Sequence, residues 1–148
     1  MKLHPDLKEF IELLNSAKVD YLIVGGHAVA YHGYPRFTGD MDFFVRPTEA
    51  NLARVRDCLV AFGLPRDAME REDFTVPRKV FQIGKPPNRI DILASISGVS
   101  FEQAFAGRVQ EHLDGVPVAF IGKAELLANK RASGRKKDEL DLDELGED

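Results

Sequence analysis

Residues 21–45 read YLIVGGHAVAYHGYPRFTGDMDFFV. The apolar run Tyr21-Leu22-Ile23-Val24 is followed by Gly25-Gly26, a short helix-like segment, and Asp40-Met41-Asp42 at the head of a second apolar run. This is the pattern of a buried strand, a turn, a helix over about 26–33 and a second strand over about 41–45. Side chains two apart in a strand share a face, so Asp40 and Asp42 project together with Cα atoms roughly 6.5–7 Å apart. Paired carboxylates repel unless a cation lies between them, and for hard oxygen donors Mg²⁺ is the usual one. Without side chains, Gly25 and Gly26 let backbone amides at a helix start approach a phosphate, and the helix dipole favours the anion. Each signal has a plainer reading: glycines punctuate turns, and the two acids could pair with Arg36 or Arg46. The weight comes from finding both, separated by thirteen intervening residues.

Around this segment the chain is 148 residues long, the size of one domain, and 1–148 is read as such. Charged residues make up 30% and hydrophobic residues 44%, a globular composition. The net charge of -4 argues against a surface that grips nucleic acid everywhere, while leaving room for a local basic patch. The single cysteine, Cys58, lies in a helical pattern and reads as a small buried side chain in a reducing, cytoplasmic setting. No signal-peptide core opens the sequence, and no uncharged apolar run is long enough to span a bilayer, so no membrane association is expected.

Upstream, Leu7, Phe10, Ile11 and Leu14 form one stripe of an N-terminal helix over about 5–16. Downstream, Thr48 caps a helix over about 49–62, and residues 63–77 read as a mobile loop with a short helical turn, able to close over a substrate. Strands are expected at about 79–84 and 89–93. In the second, Asp91 stands between Ile90 and Ile92 and points to the opposite face from both. Arg89 or Arg78 could neutralise it; alternatively it joins Asp40 and Asp42. Ser100 and Gln103 make a capping box. Residues 109–113 and 116–121 form a hairpin around Asp114-Gly115, with Pro117 confining its strand to an edge or a strand start. The C-terminal region, about 123–148, begins with a helix running into the basic stretch 129–137. An acidic tail follows, whose Leu140, Leu142 and Leu145 are expected to face inward. Lys130 and Arg135 are either solvated or turned towards the phosphates of a nucleotide. The four histidines are too scattered for a metal cluster and read as ordinary polar groups.

Gly25-Gly26, the run Arg36-Phe37-Thr38-Gly39-Asp40-Met41-Asp42 and the later Asp91 together resemble the DNA polymerase β-like nucleotidyltransferase superfamily. The stretch from His32 to Asp42 and the segment Gly134-Arg135-Lys136-Lys137-Asp138 are most similar to its small bacterial members, the minimal nucleotidyltransferases and AbiEii-type toxins. The resemblance implies an α/β (α+β) palm-like fold, a mixed β-sheet flanked by helices. It also implies transfer of a nucleoside monophosphate from an NTP to a tRNA or other RNA end, a protein hydroxyl or a small molecule. By position, Asp40 and Asp42 would hold two Mg²⁺ ions, with Mn²⁺ an alternative, and Asp91 would join them and take the acceptor's proton. Gly25, Gly26, Arg36, Thr38, Lys130 and Arg135 would contact the nucleotide. A partner protein, as in toxin and antitoxin pairs, belongs to the same expectation. The competing expectation is a catalytically silent nucleotide- or partner-binding module of the same fold.

Overall fold

The computed structural model of the chain describes residues 2–33 and 39–146. Its centre is β1 (Tyr21–Val24), buried at all four positions as its continuous hydrophobicity requires. On one side β1 pairs antiparallel with β2 (Met41–Val45), and on the other it runs parallel to β6 (Val116–Phe120) through Ile23 and Phe120. With β3 (Val80–Ile83), β4 (Ile90–Leu93) and β5 (Val109–Leu113), these strands make a mixed sheet of order β3-β4-β2-β1-β6-β5.

Helix α1 (Pro5–Ser16) starts with proline at its first position, and the His4 ring accepts from the Asp6 amide; Leu7, Phe10, Ile11 and Leu14 are buried. It packs on α3 (Glu49–Phe62), which Thr48 caps by accepting from the Asn51 amide and which Gly63 ends. Phe10 joins these helices to the sheet, its ring edge-on to Phe43 at 5.3 Å and to Phe62 at 5.4 Å. Asn51, only 2% exposed, accepts from the Asp20 amide and donates to the carbonyls of Asp20 and Arg46. One buried side chain thereby ties the start of β1 to the end of β2. Helices α2 (Gly25–His32) and α5 (Phe101–Ala106) also lie on the sheet, the latter with Phe101 edge-on to Phe44 at 5.1 Å. The capping box of Ser100 and Gln103 is present. Near the C-terminus, α6 (Lys123–Ser133) contacts α2 and turns at the left-handed Gly134 into α7 (Lys136–Glu144). Among the described residues no helix is long and apolar enough to cross a membrane.

Two sequence expectations need correction, and a third is met by one of its alternatives. The stretch 63–77 carries the expected short helical turn as α4 (Arg66–Arg71), but it buries Met69 and Phe74 against the core rather than standing as a mobile loop. The Arg56 guanidinium holds it by donating to the carbonyls of Met69 and Glu72 while lying over the Phe74 ring. β6 is an interior strand with Pro117 at its start, the second of the two places expected, and its pairing with β1 is confined to Phe120, beyond the proline. In α7, Leu142 and Leu145 are buried but Leu140 is 60% exposed, because the inward positions between them are taken by Asp138 and Asp141.

Phe43 is fully buried and touches both Phe10 and Tyr21 edge-on. Phe43→Ala is expected to cost about 3–5 kcal/mol through lost burial and the cavity left behind. Urea unfolding would show this as a lower midpoint with an unchanged slope.

Candidate active site

The carboxylates gather where β1 ends and β2 and β4 begin. Asp42 is the register partner of Val24 on one side and, across the parallel β2–β4 ladder, of Asp91 on the other. Register partners share a face, and neighbouring strands lie about 4.8 Å apart, so Asp42 and Asp91 stand side by side. The alternation inferred from Ile90-Asp91-Ile92 is realised: both isoleucines are buried on the opposite face. Asp40 precedes β2, and its Oδ1 accepts from the Arg89 amide at 3.0 Å.

Gly25 ends β1 with φ +68°, and a Cβ built there would stand 1.9 Å from Asp42 Oδ2. Only glycine satisfies both the left-handed backbone and the contact. It begins α2, whose N-terminus has no side-chain cap, so the first-turn amides around Gly26 are not occupied by a capping oxygen. A phosphate approaching Asp42 would meet those amides and the positive end of the helix dipole.

Asp91 is 6% exposed, and its charge is balanced by Arg89, whose Nε and Nη2 donate to Oδ1 and Oδ2 at 2.8 and 3.1 Å. The same guanidinium lies 3.5 Å from Asp40 Oδ2. Its pKa is raised, chiefly by the hydrogen bond with Asp91 against an opposing desolvation, and the charges of Asp91, Asp40 and Asp42 all add to the shift. All three predicted carboxylates therefore act on one cation. The pairing of Asp91 with Arg89, which the sequence allowed, is present; among the described residues no three acidic, histidine or cysteine side chains are placed to share a metal ion as they stand. The donor set nevertheless suits Mg²⁺ in kind, because that ion needs only one or two carboxylates and completes its shell with water and phosphate oxygens.

The predicted nucleotide contacts fare differently. Arg36 and Thr38 lie outside the described residues. Lys130 is 4% exposed and turned into the α6–α7 pair, 3.0 Å from Asp138 Oδ1 and 3.2 Å from Asp141 Oδ2. This is an interior position rather than the phosphate-facing one expected. Arg135 leads into α7 with 68% of its side chain exposed, and the Asp42 carboxylate is among the charges that raise its pKa, after the Asp138 hydrogen bond that dominates.

His27, read from the sequence as an ordinary polar group, stands beside the site. It is 5% exposed in the first turn of α2, hydrogen-bonded to the Gly39 backbone and within range of the Asp40 charge. Gly39 itself packs so closely on Pro87 that a Cβ would stand 2.0 Å from the Pro87 carbonyl. The position of His27 two residues after Gly25 was the available signal.

A mixed sheet with a glycine turn set against paired acids defines the nucleotidyltransferase class of fold. The chain belongs to the family described as "Nucleotidyl transferase of unknown function (DUF2204)", which it matches over residues 4–148. Its fold is similar to that of a nucleotidyltransferase candidate from Thermotoga maritima, with a TM-score of 0.65 at 12% identity over 96% of this chain and 93% of that one. It is also similar to an antigenic nucleotidyltransferase-like protein from Paracoccidioides brasiliensis, with a TM-score of 0.54 at 12% identity over 95% of this chain and 72% of that one. No curated protein matches the chain.

Two predictions follow from this geometry. Burial holds the His27 pKa below its usual value, against the opposing pull of the Gly39 hydrogen bond and the Asp40 charge. The unfolded chain takes up this proton near pH 6.5 while the folded one resists it. The contribution of His27 is therefore complete above about pH 6.5 and is lost as the pH falls towards the lowered folded value. Melting curves of His27→Gln are expected to decline less than wild type between about pH 6.5 and 5. Separately, Arg89→Ala leaves the buried Asp91 uncompensated, so its melting temperature at neutral pH is expected to fall by several degrees. Added Mg²⁺ should recover part of that loss, whereas wild type should gain less.

Proposed function

We propose that this protein is a Mg²⁺-dependent nucleotidyltransferase that moves a nucleoside monophosphate from an NTP to a hydroxyl acceptor. The observation that carries the reading is the side-by-side register of Asp42 and Asp91 beneath a glycine turn that leaves no room for a side chain. In this reading the acceptor oxygen attacks the α-phosphorus, the bond to the bridging oxygen breaks, and pyrophosphate departs. Asp40, Asp42 and Asp91 would hold the metal, with Arg89 swung away from Asp91. Divalent metal supplies charge neutralisation at the phosphates and makes the attacking hydroxyl easier to deprotonate. Asp91 takes the acceptor's proton. The amides at Gly25 and Gly26 meet the triphosphate, and Arg135 neutralises charge on the leaving group. An AbiEii-type toxin role, with an RNA or protein acceptor and a partner chain, fits the basic segment after α6 and the modest size.

A second reading is favoured by one observation: both Asp91 oxygens are already engaged by Arg89. On that reading the chain binds a nucleotide or partner without transferring anything. Incubation with each α-labelled NTP, Mg²⁺ and bulk tRNA or cell extract separates the two. Labelled product is expected with wild type and should drop at least a hundredfold in Asp42→Asn and Asp91→Asn, on the order of the loss when a charge-stabilising group is removed. Labelling at the level of these variants would refute transfer; thermal stabilisation by Mg²⁺–NTP in its absence would establish the binding module.

A further inference from the structure

The α6–α7 pair contains an ion network of which the proposed chemistry uses only Arg135. Asp138 is fully buried, and three side chains converge on its carboxylate through four hydrogen bonds. Lys130 Nζ approaches Oδ1 at 3.0 Å, the Ser133 hydroxyl donates to Oδ2, and the Arg135 guanidinium closes on both oxygens at 2.8 and 3.3 Å through Nε and Nη2. Burial alone would disfavour its charge, but the bonds from Arg135, Ser133 and Lys130 outweigh it and hold the carboxyl well below the usual carboxylate range. Lys130 is fixed in turn by Asp141 at 3.2 Å. The two cations and two anions balance, so the network is close to neutral.

Its one outward-facing member is Arg135. An exposed arginine ordinarily samples many rotamers and loses that freedom when it binds a ligand. Arg135 is already held by two bonds to a buried anion, and a guanidinium has five N–H donors, so three remain to offer. The charge of Asp42 acts on this group, after those of Asp138 and Asp141. Helix α6, which carries Lys130, contacts α2, whose first residue abuts Asp42.

The geometry points to Asp138 as a positioning residue: anchored by Lys130 and Ser133, it pre-orients the Arg135 guanidinium to receive the phosphates of a nucleotide bound at Gly25 and Asp42. The inference rests on the proposed use of an NTP and adds to it the group that sets phosphate affinity. Asp138 touches no substrate; it acts through Arg135. Preorganisation of this kind raises affinity by removing an ordering cost rather than by adding a contact.

The test is a double-mutant cycle on the full chain, with Mg²⁺–ATP and inorganic tripolyphosphate as probes and binding measured by calorimetry. D138N and R135A are each expected to weaken binding roughly tenfold, and the double variant no more than either alone. A merely structural Asp138 would instead weaken binding by the same factor whether Arg135 is present or not, which would overturn the inference. So would a folded D138N that binds as wild type does. Because D138N could fail to fold, the Arg135 Nε–H resonance of wild type provides an independent readout. A resolved, slowly exchanging signal is expected; one averaged to the solvent-exposed position refutes the pre-ordered guanidinium. If wild type binds neither probe, the nucleotide reading falls and takes this inference with it. If wild type binds and D138N is unaffected, only the positioning role is lost.

Discussion

The parallel ladder between β2 and β4 is the constraint on which the rest of the structure depends. It sets Met41 beside Ile90, Asp42 beside Asp91 and Phe43 beside Ile92, so a one-residue slip of β4 would send Asp91 into the hydrophobic face and both isoleucines out of it. The register is therefore enforced by the core as strongly as by any hydrogen bond. Phe43 and Ile92 are buried on the α1 and α3 side, and they cannot be there unless the acids face the other way. The chemistry of the site is in this sense a by-product of packing, and the cost of two neighbouring anions is borne by the apolar surface behind them.

That cost is met locally by Arg89. Its backbone and side chain both address Asp40, and its fork holds Asp91, so a single residue next to β4 compensates acids from two separate strands. A guanidinium in this place shows that the end of the sheet attracts positive charge. The close approach of Gly25 to Asp42 and of Gly39 to Pro87 then narrows the space in which these groups can rearrange.

Much of this was legible in the sequence because it depends on short periods. The alternation in Met41 to Val45 and in Ile90 to Leu93 reveals which face each acid takes, and the continuous run Tyr21 to Val24 reveals a central strand. What could not be read depends on contacts between distant residues. Whether Asp91 pairs with Arg89 or Arg78 is a matter of rotamer and turn geometry. The interior place of Lys130 is set by Asp138 and Asp141 across a helical turn, whereas its basic neighbours suggested a solvated run. Leu140 misled because a tail of alternating leucines gives no sign that carboxylates will claim the inner face. His27 was read as an ordinary polar group because one histidine near a glycine turn carries no period at all.

Cys58 shows what burial does to reactivity in this chain. Its thiol is 2% exposed and donates to the Leu13 carbonyl at 3.3 Å, and desolvation together with the adjacent Asp57 charge pushes its pKa up to about 11. Thiol chemistry proceeds through the anion, which at this value is scarce near neutrality. The native sulfur is thus silent towards maleimides and mild oxidants while the chain stays folded. Fluorophores or spin labels can then be attached at cysteines introduced on the surface, with the natural one left in place as an internal gauge of unfolding.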